Sequence, residues 1–343
     1  MANEYVKPMK AWMRILKITL TTSNAVENNG KVKQITFGYN EDSNKYHLSR
    51  TGNVVRSSDL SISISGDKYM STLKDTCTIK ISNLTYHEII RIIQDKYYNV
   101  KIECGYKSAN TFTIFEGGVM YISNFRQSVE TNTVTILCAS HLVAKYGQSR
   151  LNLSFNSGIN LYSAIKFVCK VGNVPNPNLS TQFKKSFLDS IMNCKDQSAA
   201  DVISGLADKN GSYITNSDCV GNSFMTMYDA DKSNARVVDL QARNCVITNG
   251  FPRMTADGLA FSILPTIQLQ CGDVIKLDPS LIQLNITSQS NASKNLGGLI
   301  DPNGLYTIFE MHYELKNRGN DFYIQINAKS RSKISAYIGG NNG

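Results

Sequence analysis

The sequence lacks the features that mark a membrane span or an exported chain. No apolar run approaches the ~20 residues that a membrane-spanning helix needs. The first residues include Lys7, Lys10 and Arg14, but no uninterrupted apolar segment follows them, so they do not predict a secretory signal. We therefore expect the chain to begin in a cytoplasm and not to insert into a membrane.

Patterns for metal binding are also missing. The eight cysteines are spread through the chain, none forms a C-x-x-C pair, and no two of them lie close to a histidine at metal-ligand spacing. Cys77, Cys104 and Cys138 lie inside strand-like runs, where cysteine is typically a small buried apolar residue in a reducing compartment. We interpret the cysteines in that way, with zinc or catalytic roles as the alternative.

Histidine is scarce, and no catalytic motif includes it. The sequence does not place His47, His87, His141 or His312 beside a nucleophile, and it contains no G-x-S-x-G elbow. No phosphate-binding loop or dinucleotide fingerprint occurs. A pair of carboxylates for glycoside hydrolysis stays open, because such residues meet only in space.

One acidic stretch begins like a calcium loop, but two required residues are missing. Residues 229–234 have the opening spacing, yet Asn234 stands where the sharp turn needs Gly, and Leu240 where a bidentate Glu is needed. A polar turn at the end of a hairpin is the better interpretation. The sequence thus predicts no catalytic, cofactor-binding or metal site, no cofactor, and a protein that is not an enzyme.

The charge does not indicate a nucleic-acid groove. The formal net charge is +9, but Lys and Arg are scattered and form no stripe with interleaved aromatic residues. A solvated surface is the favoured interpretation. A basic face that touches an acidic partner or passing nucleic acid stays open.

What is present predicts strands for most of the chain. A length of 343 residues with 42% hydrophobic residues can form two or three domains with ordinary cores. Residues 60–65 alternate strictly between aliphatic side chains and serine, the pattern of a strand that is wet on one face. Further strands are predicted in the segments 13–22, 32–37, 76–81, 97–104 and 322–328.

Three helices interrupt the strands. Thr85 and Glu88 have the spacing of a capping box and predict a helix that ends near Asp95. A second helix is predicted from Leu161 to Gly172. Ser198, with Asp201 three residues on, predicts the N-terminus of a third helix, which stops at residues 210–211.

A short identity suggests an internal repeat. The tetrapeptide Thr-Ile-Phe-Glu occurs at 113–116 and again at 307–310. Around both copies the sequence predicts a β-rich run, a turn with glycine, the tetrapeptide strand, a polar turn and an alternating strand. We therefore predict a duplicated β-unit in the runs 100–140 and 271–330.

Several motifs in this order resemble a known family. They lie at 79–105 with 114–119, at 153–158 with 164–165, at 258–262 with 271–277, and at 301–306 with 318–323. Together they cover most of the chain from about 60 to 330. The chain resembles the baseplate hub proteins of contractile-tailed bacteriophages, which are related to the hub portion of type VI secretion spike proteins.

The resemblance implies a mainly β fold, with two tube-like β-barrel domains flanking a small α+β domain. The expected domains are 1–149, the first tube-like β-barrel with one helix; 150–240, the small α+β domain; and 241–331, the second tube-like β-barrel. Residues 332–343 are expected to form a flexible C-terminal tail.

The resemblance also implies a structural role in the virion. Three subunits with two barrels each would present six similar barrels, joining a sixfold tail tube to a threefold central spike. The expected partners are two further copies in a homotrimer, the spike protein, the tail tube protein, and other baseplate or tape-measure proteins. DNA would pass through the lumen without specific binding, and the ring would be assembled in the host cytoplasm and reside in the tail baseplate. Loops 40–53 and 288–298 are expected at ring edges.

Two other functions stay open. One is a β-rich cell-wall hydrolase or carbohydrate-binding tail protein. The other is a monomeric ligand-binding barrel.

Overall fold

Strands dominate the fold. The computed structural model describes residues 4–5, 14–22, 34–40, 46–47, 54–55, 60–70, 75–94, 97–106, 111–126, 132–146, 150–174, 178–179, 185–209, 212–216, 225–229, 236–240, 247–255, 258–284 and 300–330. These residues form twenty-two strands and four α-helices. The prediction of a mainly β protein is confirmed.

The N-terminal part of the chain contributes ten strands and two helices. The strands are β1 Glu4–Tyr5, β2 Arg14–Thr22, β3 Gln34–Asn40, β4 Tyr46–His47, β5 Val54–Val55, β6 Ser61–Tyr69, β7 Thr76–Ser82, β8 Tyr97–Tyr106, β9 Phe112–Arg126 and β10 Asn132–Ala139. The helices are α1 Tyr86–Gln94 and α2 His141–Tyr146.

The rest of the chain contributes twelve strands and two helices. The middle segment contains β11 Leu151–Phe155, α3 Leu161–Val171, β12 Asn178–Leu179, β13 Met192–Gln197, α4 Ala199–Lys209, β14 Ser212–Asn216 and β15 Met225–Asp229. The last segment contains β16 Val237–Asp239, β17 Ile247–Thr255, β18 Gly258–Ile263, β19 Val274–Lys276, β20 Gln283–Leu284, β21 Leu305–Lys316 and β22 Phe322–Ser330.

One large sheet joins both ends of the chain. Its strand order is β20-β17-β18-β22-β21-β6-β7-β10-β9-β8-β2-β3, and a branch β1-β16-β19 joins it at β21. In β6 the side chains of Ile62 and Ile64 are buried while Ser61, Ser63 and Ser65 are partly exposed, as the alternation predicts. The sheet therefore buries one face against a hydrophobic core.

The three predicted helices are confirmed, and α1 and α4, for which a cap was predicted, begin at that cap. Before α1, a carboxylate oxygen of Glu88 accepts a hydrogen bond from the Thr85 backbone N–H at 2.7 Å. Before α4, the Ser198 hydroxyl accepts one from the Asp201 N–H at 3.2 Å. Helix α2 was not predicted, because a six-residue helix is too short to show a helical period.

The middle segment has a hydrophobic core of its own. Strands β11 and β13 pair, and helices α3 and α4 pack together and bury Ile165, Val168, Val202 and Leu206 in a cluster separate from that of the large sheet. Strands β14 and β15 pair antiparallel. The domain boundaries at 149 and 240 stay predictions. Strands β1 and β16, which precede residue 241, pair within the C-terminal part of the large sheet.

Some predicted segments cannot be compared with the structure. The loop 288–298 and the tail 332–343 lie outside the described residues, as does most of the loop 40–53. Within that loop the structure describes β4, which pairs with β5 just beyond it. Within the described ranges, no helix has the length and apolar character required to cross a bilayer.

Candidate assembly interface

The large sheet consists of two parts, which meet at one strand pair. We call β2, β3 and β6–β10 the first unit, and β16–β22 the second unit. Residues 310–316 of β21 pair antiparallel with residues 63–69 of β6, across about 245 positions of the chain. This pairing, here called the seam, is the ladder through which the two units form one sheet.

Asn317 fixes the end of the seam. Its side-chain oxygen accepts a hydrogen bond from the Ile62 N–H at 2.8 Å, and its amide nitrogen donates to the Leu60 carbonyl at 3.0 Å. Its backbone N–H donates to the Ile62 carbonyl at 3.1 Å. Because Asn317 is buried, these three bonds hold the register of β6 against β21 without competition from water.

The two faces of the seam differ in chemistry. On the solvent face, His312 Nδ1 lies 2.7 Å from Asp67 Oδ1. On the core face, Tyr313 lies against Gly66, where an added Cβ would overlap the tyrosine hydroxyl. The seam is thus an interlocked contact, in which one strand has a glycine where the other places a large ring.

The neighbouring hairpin of the second unit extends this polar face. The Tyr323 hydroxyl donates to a Glu314 carboxylate oxygen at 2.7 Å. That hydrogen bond, together with burial and the nearby negative charge, raises the pKa of Tyr323 to about 12.

The first unit curls back toward the seam. Arg14, at the start of β2, donates to the Gly319 carbonyl at 2.7 Å and lies with its guanidinium carbon 5.2 Å from the centre of the Phe322 ring. Tyr106, at the end of β8, meets the same ring edge-on at 5.5 Å. Strand β2 is six steps from β21 along the sheet. These contacts therefore require strong curvature; closure of either unit into a barrel stays a prediction.

Both units have the same strand order. In the first unit it is β6-β7-β10-β9-β8-β2, and in the second it is β17-β18-β22-β21-β19-β16. Corresponding strands also follow one another in the same order along the chain. The one difference in direction is that β2 runs antiparallel to β8, whereas β16 runs parallel to β19. The predicted repeat of strand order is therefore present.

The tetrapeptide that suggested the repeat is not equivalent in the two units. Gly118 pairs with Asn99 on one side and Ala139 on the other, and Thr307 pairs in the same way with Val274 and Lys329. Gly118 and Thr307 are therefore equivalent. The first tetrapeptide begins five residues before Gly118, whereas the second begins at Thr307 itself.

A bulge confirms this alignment. In the first unit Met120 is the extra residue between β9 and β10, and in the second Phe309 is the extra residue between β21 and β22. Each follows its reference position by two residues. Consequently residues 121–124 of β9 correspond to residues 310–313 of β21.

The outer half of β9 has an open edge. Residues 119–126 pair with β10, and no other strand in the described part of the chain pairs with them. The corresponding half of β21 is paired on both sides, by β22 and by β6. Beside this edge, Met120 and Tyr121 are 53% and 59% exposed. The first unit thus presents an unfinished edge where the second unit has its seam.

The histidines lie on separate elements of the described fold. Among the described residues, no group of His, Cys, Asp and Glu is arranged to hold a metal ion. His87 lies on α1, His141 begins α2, and His312 lies on the seam. His47 lies in β4, and its side chain is outside the described residues.

The predicted burial of the cysteines is confirmed wherever the structure describes them. The buried free thiols are those of Cys77, Cys104, Cys138, Cys169, Cys194 and Cys271. Burial raises the pKa of Cys77 to about 12 and raises that of Cys104 further. A thiol with so high a pKa is a poor nucleophile or metal ligand.

A shallow cleft of about 400 Å³ lies beside the bulge of β21. Asn327 donates a hydrogen bond to Glu310 at 2.9 Å, and the Lys329 ammonium lies 4.2 Å from the centre of the Phe309 ring. These polar groups of the cleft thus contact neighbours in the same sheet. The residues that line the cleft do not form a convergent set of catalytic groups.

Solved structures share this fold at low sequence identity. The 43 kDa tail protein of prophage MuSo2 from Shewanella oneidensis has a TM-score of 0.52 at 8% identity, with 83% of this chain and 96% of that one covered. The c3393 protein of E. coli, a component of the type VI secretion system with structural similarity to T4 tail proteins gp27 and gp5, also has a TM-score of 0.52, at 11% identity over 79% and 73%. The Francisella PdpA–VgrG complex contains a chain with a TM-score of 0.50 at 8% identity, covered over 94% of this chain and 58% of that one.

Sequence comparison identifies the family. No curated protein is similar enough to match. A family model described as baseplate hub gp41 matches residues 87–328, which span β8–β10 of the first unit, the whole middle segment and nearly all of the second unit. The chain therefore belongs to the baseplate hub gp41 family of phage tail proteins.

Proposed function

We propose that three copies of this hub protein form a ring that joins a sixfold tail tube to a threefold central spike. The observation that carries this proposal is the repeated strand order, β6-β7-β10-β9-β8-β2 and β17-β18-β22-β21-β19-β16, within one chain. Three chains then offer six similar sheets around one axis. A ring with sixfold character on one face and threefold character on the other follows from that count.

The role is structural in this proposal. The ring binds the tube protein on one side and the spike protein on the other, with other baseplate or tape-measure proteins at its periphery, and DNA passes through it without specific binding. It is assembled in the host cytoplasm and resides in the baseplate of the virion. No bond-making step is needed, so the protein is not an enzyme.

The mass of the assembly tests the proposal. Sedimentation of the purified 38.0 kDa chain, alone and with the tube and spike proteins, should show a homotrimer. An image of the isolated tail tip should show three copies between tube and spike. A chain that stays monomeric with both partners present, or that releases soluble fragments from peptidoglycan, would refute the structural ring and favour the cell-wall hydrolase.

A further inference from the structure

We propose that the open half of β9 in one copy pairs with β17 of the next copy, and so repeats between chains the seam that β21 and β6 form within a chain. The proposal rests on the proposed trimer and identifies the edges that build it. In the repeat, β9 corresponds to β21, and β17 corresponds to β6. Each copy has one open half of β9 and one β17, beyond which only the two-residue strand β20 pairs at that end of the described sheet, so three copies can close a ring.

The alignment of the two units predicts the register. His312 faces Asp67 across the seam, and its counterpart in the first unit is Ser123. The counterpart of Asp67 is Thr255, because β17 pairs with β18 as β6 pairs with β7. Ser123 of one copy should therefore lie opposite Thr255 of the next.

The same alignment places a second pair on the core face. Tyr313 faces Gly66 across the seam, and their counterparts are Asn124 and Met254. Where the seam has Tyr313 opposite Gly66, the proposed contact between copies would thus have the short polar Asn124 opposite the larger apolar Met254.

Side-chain exposure indicates that the outer half of β9 lacks a neighbour within the described part of the single chain. Met311 is 1% exposed beside the seam, whereas its counterpart Ile122 is only partly buried. Tyr313 is fully buried, whereas its counterpart Asn124 is exposed. On β17, Phe251 is 55% exposed. A strand added along β9 would cover this edge as β6 covers β21.

One short strand now occupies part of the receiving edge. Strand β20, of two residues, pairs parallel with Arg253 and Met254 of β17. The seam contains seven antiparallel residue pairs, so an equivalent ladder from β9 would replace a two-residue contact with a longer one. In the proposal β20 covers the edge in the single chain and leaves it when the next copy pairs. Very short edge strands are a common means of blocking unwanted pairing.

Cross-linking between two variants, each with one cysteine added at the edge, tests the register. Ser123→Cys and Thr255→Cys are made in separate preparations that carry Cys219→Ser and Cys245→Ser, because the other six cysteines are buried. Directly opposite residues have Cβ atoms about 4.5–5.5 Å apart, whereas diagonal neighbours are about 7–8 Å apart. The control therefore mixes Ser123→Cys with Arg253→Cys, two residues out of register.

After the preparations are mixed, assembled with tube and spike proteins, and oxidised with a soluble disulfide, non-reducing gels should show a cross-linked dimer. We expect its yield in the matched mixture to be roughly tenfold that of the control, because the diagonal distance exceeds the span of a disulfide. Trimers without the matched cross-link would overturn this inference and leave the ring intact. Monomers without any cross-link would overturn both proposals.

A substitution in β20 tests its displacement. Gln283→Pro removes a backbone donor from this strand, and Gln283→Ala keeps it. If β20 covers the edge, the proline variant should cross-link faster in the matched mixture than the alanine variant. Equal rates would show that β20 does not hinder pairing.

Discussion

Gly118 and Thr307 occupy the same position in two copies of one strand pattern. Each pairs with a neighbour on both sides, and each precedes a bulge residue by two positions. Their surroundings explain in part why one position holds glycine and the other threonine. Beside Gly118, the side chain of Ala144 on α2 fills the space that a Cβ at residue 118 would need. The first unit thus uses a glycine where a helix packs closely on the repeated strand.

We expect Gly118→Ala to lower the free energy of unfolding by about 1–3 kcal/mol, because the new methyl group overlaps Ala144. Ala144→Gly alone should cost ~1 kcal/mol through its effect on the helix. The double variant should be more stable than the sum of the two losses predicts, because the overlap is then gone. Urea unfolding of the four proteins measures this coupling. Additive losses would contradict the contact.

Asn317→Ala should destabilise the protein by about 1–3 kcal/mol, because the Ile62 N–H and the Leu60 carbonyl lose buried partners. Asn327→Ala is the matched control. This exposed asparagine on β22 makes its hydrogen bond to Glu310 at the surface, and its loss should cost no more than ~0.5 kcal/mol. Thermal and urea unfolding should separate the two variants; equal effects would mean that Asn317 does not hold the seam.

The ion pair of Lys17 and Glu103 should make the free energy of unfolding depend on pH in the acidic range. Burial raises the pKa of Glu103, but the Lys17 ammonium at 2.9 Å and that of Lys101 at 3.4 Å together lower it below its ordinary value. A lowered folded-state pKa contributes stability above the unfolded-state pKa and loses it as the pH falls through the folded-state value.

Lys17→Met keeps most of the side-chain stem and removes the charge. It should cost under ~1 kcal/mol at pH 7, and the difference from the parent should shrink as the pH falls through the lowered pKa of Glu103 and this carboxylate becomes protonated. Lys80→Met, at an exposed lysine on β7 of the same sheet, serves as control and should show no such pH dependence. Unfolding curves measured from pH 3 to pH 7 give the comparison. A constant difference across that range would contradict the assignment.

The buried thiols should be unreactive in the folded protein. A Cys219→Ser, Cys245→Ser variant retains the six buried cysteines. At pH 8 it should react with a chromogenic disulfide reagent only after denaturant is added, because burial keeps Cys77, with a pKa of about 12, protonated and covered. Rapid reaction of any thiol in native buffer would show that the core opens more readily than this structure indicates.

The sequence by itself determined the local features. The alternation in β6, the capping box before α1 and the serine cap of α4 were all readable, because each depends on residues a few positions apart. The turn Asp301-Pro302-Asn303-Gly304 is local in the same sense, because Pro fixes one φ and Gly permits a positive one. Gly304 adopts a φ of 68° there, and its N–H donates to the Asp301 carbonyl at 2.9 Å.

Only the tertiary structure decided which strands meet and in what register. The tetrapeptide identity predicted a repeat that exists, but it is out of step by five residues, because sidedness and pairing depend on hydrogen bonds to strands far away in the chain. Three further features likewise depend on segments that are far apart in the chain: the pairing of β6 with β21, the open half of β9, and the pairing of β20 with β17. Local patterns do not predict these features, because the sequence of a strand indicates which of its faces is apolar but not which strand pairs with its edge.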